Sequence, residues 1–242
     1  MSQIMTLSLL AGLATTFGCL LVVVLGRPGP SALAFFLGLA AGVMLAVVIF
    51  DLIPTALDYG SFGETVAGFT VGAVLLYLID HLLSRLSGHG LSNTGTGRFL
   101  KMGYLIAIGI ALHDLPEGMA IAIGYSATSR VGLVIALAIG LHNIPEGMAT
   151  AAPLRMGGLT KLRIIGINLL VSVFTPIGTA LGFVLIHIVP QVISGLLALA
   201  AGAMSYLVKD ELLPESFGQN KLAASLGVAS GLVLIFCLTS VH

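Results

Sequence analysis

Ala111-Leu112-His113-Asp114-Leu115-Pro116-Glu117-Gly118-Met119-Ala120 and Gly140-Leu141-His142-Asn143-Ile144-Pro145-Glu146-Gly147-Met148-Ala149 are two copies of one phrase. Each lies inside a long apolar run. A histidine and a glutamate four positions apart share one face of a helix, so His113 aligns with Glu117 and His142 with Glu146. Asp114 and Asn143 add a polar neighbour to each copy. Polar side chains in a membrane span are costly and face a cavity, an ion or each other. Successive spans run antiparallel, so the copies can converge on a pseudo-two-fold axis near the bilayer midplane.

The composition around the repeat requires lipid. Of 242 residues, 57% are hydrophobic and 8% charged, against about 25% charged in a soluble domain. A water-facing surface cannot be made from so few charges, whereas hydrocarbon tolerates this balance. The 31 glycines and 9 prolines fit closely packed membrane helices. Eight apolar runs are read as spans, at about 4–26, 31–57, 64–86, 99–125, 131–153, 162–188, 191–213 and 219–240. Each approaches or exceeds the ~20 residues that cross the hydrocarbon. The first lacks a basic leading segment and reads as helix one, not a signal peptide. The expected fold is an all-α polytopic membrane protein, one domain over 1–242, with proline-interrupted helices 4 and 5 related by an inverted pseudo-repeat.

Charge placement tests the count. With alternating sides, Arg27, Arg85, Arg98, Lys101, Arg155, Lys161, Arg163, Lys209 and Lys221 share one face, leaving Arg130 alone on the other. Merging two spans would scramble this sorting. The positive-inside rule makes the basic face cytoplasmic and sets both termini on the non-cytoplasmic side. Lys plus Arg equals Asp plus Glu, ten each, so bulk charge argues for no nucleic-acid partner. Cys19 and Cys237 sit in apolar runs and read as small buried hydrophobes.

Two imidazoles with carboxylates form a ligand set that suits Zn²⁺ and also Fe²⁺ or Mn²⁺. Pro116 and Pro145 cannot donate to the carbonyls of Leu112 and Leu141, which lie beside the histidines. A polar network that only holds helices together is the bland alternative; a duplicated compound motif argues against it. Met44 in span two reads as packing or as a thioether ligand. Asp51, followed by Pro54, is either an ion relay or an interfacial residue. Asn168 and Thr175 in span six are candidate path-lining residues. Asp210, Glu211 and Glu215, with Lys209, read as an ordinary helix end or an exit for a departing ion, to which Asp80 and His81 are added. His89, His187 and His242 read as loop, interfacial or terminal residues.

The duplicated motif resembles the ZIP family of divalent metal transporters, most closely its compact bacterial-type branch. Span two, with Ala41-Gly42-Val43-Met44-Leu45-Ala46 and Leu52-Ile53-Pro54, is similar to that family's second helix. Ala200-Ala201-Gly202-Ala203-Met204 through Asp210-Glu211-Leu212-Leu213-Pro214-Glu215 is similar to its seventh. The resemblance implies a metal site of His113, Glu117, His142, Asn143 and Glu146, with Met44 near it. It also implies a second site at Asp114, Asn143, Glu117 and Glu146 in some members. Thr175 stands where those members carry Glu, which argues against a full two-metal centre here. The long histidine-rich loop of larger relatives is absent from the sequence.

The function expected is transport of divalent cations, zinc first and iron, manganese, cobalt or cadmium as alternatives, into the cytoplasm. The cation is substrate, with no cofactor. The resemblance implies import by an elevator-like movement, in a plasma (inner) membrane. No P-loop accompanies the spans, so the drive is an ion gradient or downhill flow. An intramembrane metal-dependent hydrolase is the main rival, since it too needs His and acidic residues at the midplane. A membrane protein that binds metal without moving it is the second. The lipid bilayer is an expected partner, and a homodimer is plausible from the glycine-rich faces, which can equally serve internal contacts.

Overall fold

A computed structural model describes residues 2–86, 95–185 and 190–239; His89, His187 and His242 lie outside them. The described residues form eight helices. These are α1 (Ser2–Leu25), α2 (Pro30–Tyr59), α3 (Phe62–Leu86), α4 (Gly95–Ala127), α5 (Ser129–Met156) and α6, made of Lys161–Ser172 and Phe174–Leu185. The last two are α7, made of Pro190–Leu207, Val208–Leu212 and Leu213–Gln219, and α8 (Lys221–Thr239). The first six are long and apolar enough to cross a membrane. Boundaries follow local chemistry. Pro30 opens α2, where its missing N–H costs nothing. Ser61 and Glu64 cap α3 reciprocally, the Ser61 N–H donating to Oε2 of Glu64 at 2.7 Å and the Glu64 N–H to Oγ of Ser61 at 3.3 Å. Thr128 caps α5 by accepting from the Val131 N–H at 3.2 Å.

Helices α4 and α5 run without a break through Pro116 and Pro145. The prolines that do disturb a helix are elsewhere. Val48–Leu52 in α2 and Val208–Leu212 in α7 are each one wide π turn, and Pro54 and Pro214 follow two residues later. A proline crowds the carbonyl four positions back, and widening the turn relieves that contact.

Both π turns are marks of a second repeat. Leu39-Ala40-Ala41-Gly42-Val43-Met44 and Leu52-Ile53-Pro54 recur 160 positions later as Leu199-Ala200-Ala201-Gly202-Ala203-Met204 and Leu212-Leu213-Pro214. The packing obeys the same shift. Helices α1, α4, α5 and α6 pack together, α5 on α1 and α4 on α6; helices α2, α3, α7 and α8 form the other group, α2 on α8 and α7 on α3. A Cβ on Gly147 would collide with the carbonyl of Thr15, and one on Gly118 with that of Thr175. These contacts relate Thr15 to Thr175 by 160 positions and Gly118 to Gly147 by 29. In the other group, Gly42 meets Val228 and Gly202 meets Phe69 in the same manner, with Gly42 and Gly202 related by 160 positions and Phe69 and Val228, in α3 and α8, by 159. Thus α1–α3 repeat as α6–α8 around the α4/α5 pair. The glycines expected to offer a face to a second copy are therefore largely engaged within the chain.

Large apolar side chains cover the outside, among them Phe17, Val24, Val71, Leu78 and Leu170. In water they would be a liability; in hydrocarbon they are a solvated surface.

Candidate metal centre

The His-x-x-x-Glu stripes of α4 and α5 face each other, and each histidine meets the glutamate of the other copy. Nε2 of His113 lies 3.2 Å from Oε2 of Glu146, and Nε2 of His142 lies 2.9 Å from Oε1 of Glu117. This crossed pairing is what a two-fold relation between the copies produces. Oδ1 of Asp114 is 3.7 Å and Oε1 of Glu117 3.9 Å from Nε2 of His113. Ligand-type atoms of His113, Asp114 and Glu146 fall within 4.8 Å of one another. All six polar side chains of the two motifs are buried.

The centre is crowded with acceptors. Oδ1 and Oδ2 of Asp114, Oε2 of Glu117, Oδ1 of Asn143 and Oε1 of Glu146 are buried without a hydrogen-bond donor. The Asn143 amide donates to the Ala11 carbonyl of α1 at 3.0 Å, while its oxygen is buried without a donor. Nδ1 of His113 lies 3.2 Å from the Gly109 carbonyl, one turn earlier. A proton on Nδ1 donated to that carbonyl leaves Nε2 as a lone pair, fixed in the tautomer a metal takes. That lone pair faces a carboxylate oxygen. Unpaired buried acceptors are costly, and a cation between them removes the cost.

The other residues singled out in the sequence separate. Asp51 on the first π turn is exposed and lines a cavity of about 280 Å³ with Thr55, Tyr59 and Pro116. Pro116 precedes Glu117, so this vestibule lies next to the centre, toward the end of the bundle where α1 begins. Thr175 is buried in α6 with its hydroxyl unpartnered, as is its counterpart Thr15 in α1. Met44 packs in the hydrophobic core, as does its counterpart Met204. Asn168 is buried and donates within its own helix to Ile164 at 3.0 Å.

The acidic cluster at the basic face is already engaged. Arg98 pairs with Glu215, and Lys101 pairs with Asp80 and, at 3.6 Å, with Glu211. Tyr206 donates to Asp80 at 2.8 Å. Asp210 pairs with its neighbour Lys209 at 3.2 Å, both exposed. His81 stacks on Tyr77 instead of joining them. Two contributions of α1 are not legible in the apolar pattern: the Ala11 carbonyl that orients Asn143, and Thr15. Nothing in a sequence marks a backbone carbonyl, but the repeat would have paired Thr15 with Thr175.

A buried His/carboxylate centre between the two copies of an inverted repeat, inside an apolar helical bundle, defines a polytopic membrane protein with a polar centre of metal-ligand chemistry. The family model described as ZIP Zinc transporter matches residues 92–239. The chain is 34% identical to the zinc transporter ZupT of Chlorobium limicola, over 91% of each chain, and 34% identical to that of Corynebacterium glutamicum, over 95% of each. It is 33% identical to the one from Streptococcus mutans, over 95% of this chain and 93% of that one. The chain belongs to the ZIP family and is an integral membrane protein.

Proposed function

We propose that this protein carries divalent metal cations, zinc first among them, across the plasma (inner) membrane into the cytoplasm through the centre between α4 and α5. The observation that carries the reading is the set of five unpartnered carboxylate and amide oxygens around two imidazoles, buried on the axis of the fold. His113, His142, Glu117 and Glu146 are the ligands of the cargo, with Asn143 and Asp114 as further oxygen donors. Carboxylates offset the charge of the ion, and the mixed N/O set favours Zn²⁺ while admitting Fe²⁺ or Mn²⁺. The names of the relatives support zinc as cargo. The sorting of basic residues supports termini on the non-cytoplasmic side, which makes the vestibule at Asp51 the mouth for the arriving ion.

A hydrolase would need the same ligands plus a bound substrate; the curated relatives are transporters by name. The test is zinc flux. Purified protein is placed in sealed vesicles with a zinc-sensitive dye inside, beside a Glu146→Ala protein inserted equally well. Zinc-dependent signal in the wild type and none in the variant is expected. No flux from inserted wild type, across several metals and an imposed pH gradient, would overturn the reading.

A further inference from the structure

The two ends of the bundle are in different states, although the repeat relates them residue by residue. At the end where α1 begins, the 280 Å³ vestibule separates α2 and α7 from α4 and α5. On its α4/α5 wall, Ile123, Val131 and Ile135 are exposed or half-buried. Their counterparts, 29 positions away at the basic face, are Ala152, Met102 and Ile106, which are at most 1% exposed. Related positions thus line a cavity at one end and close-packed core at the other.

The charges follow the same asymmetry. Asp51 is exposed in the vestibule, with the Thr55 hydroxyl donating to it at 3.2 Å. Its counterpart 160 positions later is Glu211, held at 3.6 Å by Lys101. Lys101 also pairs with Asp80, and Arg98 with Glu215. All three ion pairs join α4 to α3 or α7, one four-helix group to the other, across the closed end. The counterpart of Lys101 is Arg130, 29 positions later. Arg130 stands in the first turn of α5, beside Val131 of the vestibule wall, exposed and in no ion pair among the described residues.

We propose that Arg130 closes onto Asp51 when the basic face opens, so that Lys101–Glu211 and Arg130–Asp51 are alternating locks at the two ends of the path. The inference rests on the reading that a cation moves through the α4/α5 centre. Internal repeats allow the two halves to exchange arrangements, each end taking the form the other now has. Opening the basic face withdraws Lys101 from Glu211 and Asp80, which leaves two acids to meet the departing ion. Closing the vestibule would otherwise bury Asp51 unpaired, at a high cost; Arg130 is the cation in position to prevent it. The locks are unequal. The counterpart of Arg98 is Ala127, and that of Asp80, 159 positions later by the shift that relates α3 to α8, is Thr239, so three pairs hold the basic face and one holds the vestibule. That inequality accounts for a resting form open at Asp51.

The test uses full-length protein in the zinc-flux vesicles, with Glu146→Ala alongside. Asp51→Arg and Arg130→Asp should each lower flux about fivefold, the scale of one partly screened ion pair, and the two together should restore most of it. Separately, Asp51→Cys with Arg130→Cys, after Cys19→Ser and Cys237→Ser, should be bridged by a reducible thiol-specific linker of Arg–Asp length. The bridge should stop flux, and reduction should return it. A paired reversal no better than either single change, a linker that never bridges a transporting protein, or a bridge that leaves flux intact would each overturn the proposal. If Glu146→Ala carries zinc like wild type, the reading of the centre fails instead; loss in Glu146→Ala with unaffected locks sinks only the locks.

Discussion

His113 and Glu146 show at the scale of single residues what the duplicated motif accomplishes. Within one copy the two polar residues are neighbours on a helix; between copies they become partners, 3.2 Å apart. The spacing of four made the shared face legible in the sequence, and the doubling made convergence legible. The crossed choice of partner was not, because it depends on how far α4 and α5 are rotated about their axes. Nor was the engagement of Asp80, Glu211 and Glu215 by Lys101 and Arg98, since ion pairs between helices carry no periodic signal. Glu146→Gln keeps the shape but removes a charge and a ligand oxygen. Zinc affinity by calorimetry should fall by at least the ~10–100-fold that loss of an outer partner alone costs. Unchanged affinity would place the ion elsewhere. Acid acts in the same direction. Protons occupy the imidazole and carboxylate atoms that the metal requires, so apparent zinc affinity should weaken as pH falls and recover as it rises. A pH-independent binding isotherm would argue against these ligands.

The helices position these residues through close backbone contact. Gly147 lets α5 lie against the Thr15 carbonyl of α1, and Gly118 lets α4 lie against that of Thr175 in α6. Both glycines directly follow a glutamate of the centre, so packing and ligand placement are set within one turn. A methyl group at either position must push a helix away. Gly147→Ala should cost about 1–3 kcal/mol of stability, the usual penalty of overpacking, read from thermal unfolding in detergent. Gly166→Ala is the control, because a Cβ there meets nothing within 4 Å; equal effects at the two sites would refute the packing argument. The composition announced many close approaches, and their partners emerged only in three dimensions. Prolines misled in an instructive way. Pro116 and Pro145 were expected to interrupt their helices, yet the π turns sit ahead of Pro54 and Pro214. The surrounding packing decides which proline distorts its helix, and a linear pattern does not contain it.

At the scale of the molecule, two repeats are nested. The 29-residue shift between α4 and α5 was conspicuous because it carries histidine and glutamate; the shift between α1–α3 and α6–α8, 160 residues in the first two helices and 159 in the third, is written mostly in Ala, Gly, Leu and Pro and passed as composition. Its traces were present in the two Ala-Ala-Gly-x-Met stretches, read separately as likenesses to two family helices. Helix number and the sorting of charge were legible because bilayer thickness and the positive-inside rule act on the linear sequence. Which four helices group together was not. The proposed function makes one demand, that a single cation be held by groups from both copies of the motif. X-ray absorption at the zinc edge of the purified, zinc-loaded protein reads this directly. The account predicts imidazole scattering from two histidines with oxygen ligands at about 2.0–2.2 Å, reduced to one imidazole in either His113→Ala or His142→Ala. Sulfur scattering near about 2.3 Å, or a spectrum unchanged in both variants, would contradict it.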